Sequence, residues 1–199
     1  MKIGVWANDD QWEETRKGII GVEFARLTSF ENSPADMDAY LWLAEKKEGF
    51  EITSKPVFIN SVCATLIEMN APANVVRING WNGFLARQTW EISGAIDETV
   101  QKVCAALGKM IIPVPDEPGF ISARVIAMII NEAFFALEDN ISTREEIDTA
   151  MKLGTNYPYG PFEWAALIGE ARIFDLLQKL SLQDKRYLPA TLLNRSFTK

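Results

Sequence analysis

Histidine is absent from all 199 residues, and cysteine is nearly so, with only Cys63 and Cys104. The first absence removes histidine metal sites, Ser-His-Asp and Cys-His nucleophile systems, and any imidazole general base. The two cysteines lie in apolar surroundings and match no metal-ligand spacing, so buried free thiols are expected and no metal site is. A long apolar run is also missing, because Arg124, Asn131 and Glu132 interrupt the most hydrophobic stretch. No membrane-spanning helix is therefore expected. Met1 leads directly into strand-like residues without a signal pattern, from which a cytoplasmic location is expected. Positive charge is scarce: 20 Lys and Arg stand against 27 Asp and Glu, a formal charge of −7. Binding to nucleic acid or an anionic membrane relies on basic surface and is not expected, whereas a small anion held locally is compatible with this balance.

What the chain does hold is an apolar fraction of 48%, enough for one large core or two small ones. Short apolar strand candidates fill the first part: Lys2 to Ala7, Val22 to Leu27, Asp38 to Leu43, Pro56 to Ser61, Asn74 to Ile78, Thr89 to Ser93 and Lys109 to Val114. Helical stretches fall between some of them, at Asp9 to Lys17, Thr65 to Met69 and Ala95 to Leu107. Thr28 to Ala35 reads as a loop. Strands alternating with helices imply parallel pairing through crossovers, so residues 1–115 are expected to form an α/β domain with an open sheet.

Past Asp116 the strand signals stop, and residues 116–199 read as an all-helical domain. Val114 to Leu137 organises this half. Asp116 and Pro118 carry helix-start chemistry, and Ile121, Val125, Ile126, Met128, Ile129, Ile130, Ala133, Phe134 and Leu137 form an apolar surface wider than one helical stripe. Such a helix needs cover on most sides, from its own domain and from a second subunit. Ser142-Thr-Arg-Glu145 reads as a capping box for a helix to about Leu153, ended by Gly154, Asn156 and Pro158. Further helices are expected at Pro161 to Ile168, Gly169 to Leu180 and Pro189 to Leu193.

Three motifs carry a resemblance. PDEPGFISAR (115 to 124) followed by EEIDTAMKLGTNYPYGPFEWAALIG (145 to 169) resembles the C-terminal domain of 3-hydroxyacyl-CoA dehydrogenases, including the 3-hydroxybutyryl-CoA enzymes. NSVCATLIE (60 to 68), RINGW (77 to 81) and WEIS (90 to 93) look like worn versions of the same family's N-terminal motifs. The resemblance implies a shortened Rossmann-like parallel sheet domain, followed by an all-α domain that makes a homodimer, with NAD as cofactor and an acyl-CoA as ligand in the interdomain cleft.

The residues depart from that pattern where the chemistry sits. The family's K-I-G-V-x-G-x-G-x-x-G fingerprint gives the diphosphate a tight, glycine-lined turn at a helix start. Here Trp6, Asn8 and Gln11 replace its glycines, Asp9 and Asp10 bring carboxylates to the helix start, and no cofactor-binding residue is expected. The motif bearing the family's His base, by resemblance, is Gly80-Trp81-Asn82, which puts Asn82 in its place. The Glu that orients the base matches Glu91, with a shorter segment between the two than the family has. The family Ser falls on Val62 by motif or Ser61 by spacing, and the family Asn on Ala123. Expectation thus centres on Glu91, Asn82 and Ser61, in a catalytically impaired homologue that keeps an acyl-CoA site. A non-catalytic dimerisation or regulatory partner of a complete dehydrogenase, and an active enzyme with an altered site, are the alternatives.

Overall fold

Strand β1, Lys2–Trp6, forms where Ile3, Gly4 and Val5 run consecutively through the interior, as expected of a strand covered on both faces. The computed structural model describes residues 1–29, 34–44 and 54–195, Arg195 by its backbone alone. Within Met1–Phe120, β1 is joined by β2 (Glu23–Arg26), β3 (Ala39–Trp42), β4 (Val57–Asn60), β5 (Val75–Ile78), β6 (Thr89–Ser93) and β7 (Met110–Pro113). They form a seven-stranded sheet in the order β2-β1-β3-β4-β5-β6-β7.

Every pairing is parallel except β5 with β6, where Arg77 faces Ser93 and Ile78 faces Ile92. The all-parallel expectation fails there for a steric reason: residues 79–88 are too few to carry a crossover helix between parallel strands.

Among the described residues this unit has two helices, α1 (Asp9–Arg16) and α2 (Glu98–Ala106). One face of the sheet, bearing Ile3, Val5, Leu41, Phe58, Val76, Ile78, Trp90 and Ile92, packs with Val100, Val103 and Cys104 of α2 and with Trp12 of α1. The other face gathers Leu27, Met37, Tyr40, Trp42, Val57, Ile59 and Val75, with Trp6 against them. Burial pushes the Cys104 thiol up to about 12, against the pull of Lys109, as suits an inert core residue. Cys63 is only half-buried.

Two expected helix features are corrected. Thr65 to Met69 is a turn: its Leu66 and Ile67 amides donate to the Asp116 carboxylate, and Asn70 adopts a left-handed backbone, φ 47°. Asp116, engaged there, caps no helix, and the helix expected from it starts later, at Ser122.

The second unit, Ile121–Lys199, contains α3 (Ser122–Glu138), α4 (Arg144–Thr155), α5 (Pro161–Ile168), α6 (Glu170–Ser181) and α7 (Thr191–Arg195), with a 3-10 turn at Lys185–Tyr187. α3 is its centre, burying Ile126, Ile130, Phe134 and Asn131. Asn131 receives the Ala190 amide at 2.8 Å and donates to the Leu188 carbonyl at 2.9 Å, pinning the segment before α7 to α3. The capping box of α4 is one residue later than expected, with Thr143 as cap and Glu146 as its partner. Asp148 of α4 accepts the Phe162 and Glu163 amides at 2.8 and 3.2 Å, satisfying the start of α5. A Cβ on Gly160 would run into that carboxylate, so the turn before α5 needs glycine.

Candidate functional site

In an open α/β sheet, ligands bind outside the carboxyl ends of the parallel strands. Those ends here are Trp6, Arg26, Trp42 and Asn60, together with the turn after β5. Each is engaged. Asn8 caps α1, its Oδ1 accepting the Gln11 amide at 2.9 Å, while the Asn8 amide donates back to Gln11 Oε1 at 3.3 Å. The cap is thus Asn8 and not the neighbouring aspartates, which lie in the first turn where the helix dipole favours them. Gln11 is buried, and its Nε2 donates to the Leu43 and Gly80 carbonyls, both at 3.0 Å. Asn60 completes the ring, with Nδ2 to the Leu43 carbonyl at 3.0 Å and Oδ1 from the Gly80 amide at 3.1 Å. Gly80 has no room for a side chain, because a Cβ there would lie 2.7 Å from Asn60 Cβ.

At the end of β2, Arg26 pairs with Asp9 and lies over the Trp12 ring. Trp6 is half-buried against the Tyr40 and Trp42 face. A dinucleotide diphosphate needs open amides and glycine-width space at the start of α1. The Asn8 cap, the Gln11 side chain and the exposed Asp9 and Asp10 do not fit that group.

The site residues expected from sequence fall as follows. Glu91 lies on β6, paired in register with Ile112 of β7 and half-buried. β5 and β6 pair at Arg77–Ser93 and Ile78–Ile92, and Asn79 is the first residue after β5. Directly opposed residues share a face, and Arg77 and Ser93 share the one away from the α2-side core, which takes Ile78 and Ile92. Asn79 Oδ1 accepts the Trp81 amide at 3.2 Å, which turns the chain after β5. Asn82 is three residues further along that turn, buried, and its Oδ1 has no hydrogen-bond partner among the described residues. Ser61 follows β4, its hydroxyl donating to the Ala64 carbonyl at 2.8 Å. Val62 is buried beside it. Ala123 is fully buried in the first turn of α3, within the helical unit.

Sequence reasoning missed a charged cluster on the Arg77–Ser93 face. Arg77 is fully buried on β5 and donates to the Ser61 carbonyl at 2.9 Å, Val62 at 3.3 Å, Glu117 at 3.2 Å and Asp116 Oδ1 at 2.5 Å. The Phe120 ring covers its guanidinium, with centroid 4.8 Å away. Burial by itself would raise the Asp116 carboxyl, but the Leu66 and Ile67 amides and Arg77 hold it below the usual carboxylate range. Burial likewise lowers the Arg77 value against the pull of Asp116. An Arg inside VVRI, otherwise a buried apolar strand, was the one signal available.

Residues 119–199 match the model of the 3-hydroxyacyl-CoA dehydrogenase C-terminal domain. The chain is 46% identical over 90 residues to 3-hydroxyadipyl-CoA dehydrogenase of Escherichia coli K12, covering 44% of this chain and 19% of that one. It is 33% identical over 134 residues to a probable 3-hydroxybutyryl-CoA dehydrogenase of Bacillus subtilis, covering 63% and 47%. Residues 119–199 belong to the 3-hydroxyacyl-CoA dehydrogenase family. The chain thus spans less than half the length of these two relatives. The crystal structure of (S)-3-hydroxybutyryl-CoA dehydrogenase from Ralstonia eutropha superposes with a TM-score of 0.71 over 98% of this chain and 92% of that one. At 19% identity that likeness establishes the fold, a mostly parallel sheet unit with a helical C-terminal region.

Proposed function

We propose that this 3-hydroxyacyl-CoA dehydrogenase-like protein binds an acyl-CoA thioester and does not transfer hydride to or from it. The observation that carries the reading is the absence of histidine from the chain, with Asn82, by resemblance, in the place of the family's His base. By resemblance a His paired with a Glu takes the hydroxyl proton in this family, and an amide has no proton affinity at ordinary pH. A positioned base contributes about 10²- to 10⁴-fold, and no side chain of this chain is a histidine. Thioester binding is supported by the matched C-terminal domain and by relatives named for 3-hydroxyacyl-CoA substrates.

Thermal-shift titration with acetoacetyl-CoA, 3-hydroxybutyryl-CoA and free CoA tests the reading, with NADH oxidation by acetoacetyl-CoA followed at 340 nm. Stabilisation by the thioesters without NADH oxidation is the expected result. Turnover would overturn the non-catalytic part, and no response to any thioester would overturn the binding part.

A second reading, as a dimerising partner, is favoured by the exposure of Ile121, just before α3, and of Val125 on it, 55% and 52%. Light scattering should then give about twice 22.4 kDa. A monomer at micromolar concentration removes that reading.

A further inference from the structure

The sheet's carboxyl edge is a closed ring of side-chain amides. Gln11, 1% exposed, bridges the ends of β3 and β5 through the Leu43 and Gly80 carbonyls. Asn8 orients it from one side, and Asn60 binds the same two peptide groups from the other. A buried carbonyl must have a donor, and Leu43 has two, from Gln11 and Asn60. The Gly80 carbonyl takes its hydrogen bond from Gln11. At the neighbouring strand end Arg26 is closed by Asp9, on the same helix turn as Asn8. Both places that a dinucleotide would occupy, the helix start and the end of β2, are therefore filled by contacts within the unit.

Going beyond the thioester-binding reading and independent of it, we infer that Gln11 is a built-in latch that takes the place of a bound dinucleotide. It ties the edges of β3 and β5 together so that the sheet unit is complete without NAD or NADP. The unit's stability then depends on the Gln11 amide and is indifferent to nicotinamide nucleotides. Substitution by Met keeps the length and removes both donors. Substitution by Glu sets an acceptor against two carbonyls at neutral pH, and acidification restores one donor by protonating the carboxyl.

The test uses the full chain. Isothermal titration with NADH and NADPH should give no binding up to about 1 mM, and Gln11→Met should lower Tm by about 3–10 °C without creating NADH affinity. Gln11→Glu should be less stable still at pH 7.5 and regain part of the loss near pH 5. In case either variant fails to fold, the wild-type Gln11 side-chain amide protons provide the second readout, and slow exchange with solvent in NMR spectra is expected. Wild-type NADH binding tighter than about 100 μM, an unchanged Tm in Gln11→Met, or fast-exchanging Gln11 amide protons would each overturn the latch. These outcomes are separate from the thioester titration, whose failure would remove the proposed function and leave the latch standing.

Discussion

Asp116→Asn removes the carboxylate that is hydrogen-bonded to a fully buried guanidinium. Breaking a buried ion pair from one side typically costs about 3–5 kcal/mol, because the remaining charge is left uncompensated. Two observations place this case at the low end. The Asp116 side chain keeps 20% of its surface in solvent, and Arg77 retains the Ser61, Val62 and Glu117 carbonyls. About 3 kcal/mol is expected, or a Tm loss of about 10 °C for a unit of this size. Urea unfolding followed by tryptophan fluorescence measures it directly, since Trp6, Trp12, Trp42, Trp81 and Trp90 lie in this unit and Trp164 alone lies in the other.

The pH dependence fixes the mechanism. The Asp116 value is depressed in the folded state, so its stabilisation is fully present above the unfolded value of about 3.9 and is lost as pH falls through the lower folded one. The difference between wild type and Asp116→Asn should be flat from pH 8 to pH 5 and shrink below about pH 4. A difference that stays constant to pH 3, or one under about 1 kcal/mol at pH 7, would refute the ion pair as the source. In a double-mutant cycle with Arg77→Met the two losses should fall short of adding, since the groups share one interaction.

Asn79→His would place the chain's single imidazole just after β5, where one NMR titration reads its pKa; the value should fall when Glu91→Gln is added, and no change would show that the two are not neighbours. Gly160→Ala should destabilise the helical unit by about 2–4 kcal/mol through collision with Asp148, and Asp148→Ala, which loses a cap and costs about 1–2 kcal/mol alone, should relieve most of it when combined. A fully additive double mutant in urea titrations would exclude the collision. Asn82→Leu removes a buried acceptor that has no partner, so stability should be unchanged or rise by about 1 kcal/mol; a loss above 1 kcal/mol would indicate an ordered donor on Asn82 Oδ1.

Strand positions were legible because a sheet buried on both faces writes short apolar runs into the sequence, and all seven expected strands overlap observed ones, in runs such as AYLW, VFIN and MIIP. Local chemistry misled where a side chain had a distant partner. Asp116 has the form of a helix cap, but its acceptors are claimed by Arg77 of β5 and by the amides of residues 66 and 67, contacts no local pattern encodes. The same holds for the site. Glu91 and Asn82 were singled out by motif, whereas what the strand carrying Glu91 faces depends on a strand reversal. With β5 and β6 antiparallel, Arg77 faces Ser93 and Ile78 faces Ile92, a pairing that no local pattern encodes.

Sites built for a ligand commonly leave strained or incompletely satisfied groups that the ligand completes, so they are where local rules fail. The carboxyl edge of this sheet has the opposite character. Asn8 and Gln11 satisfy each other, Gln11 and Asn60 satisfy the peptide groups of Leu43 and Gly80, and Arg26 is closed by Asp9. Replacing glycines by residues that merely blocked a nucleotide would have left buried carbonyls without donors, at about 1–3 kcal/mol each. Gln11, held by Asn8, and Asn60 instead supply those donors, which is the pattern of an edge formed around its own side chains. Asn82 Oδ1, buried in the same turn, has no hydrogen-bond partner among the described residues, and a bound donor at this edge would show itself there first.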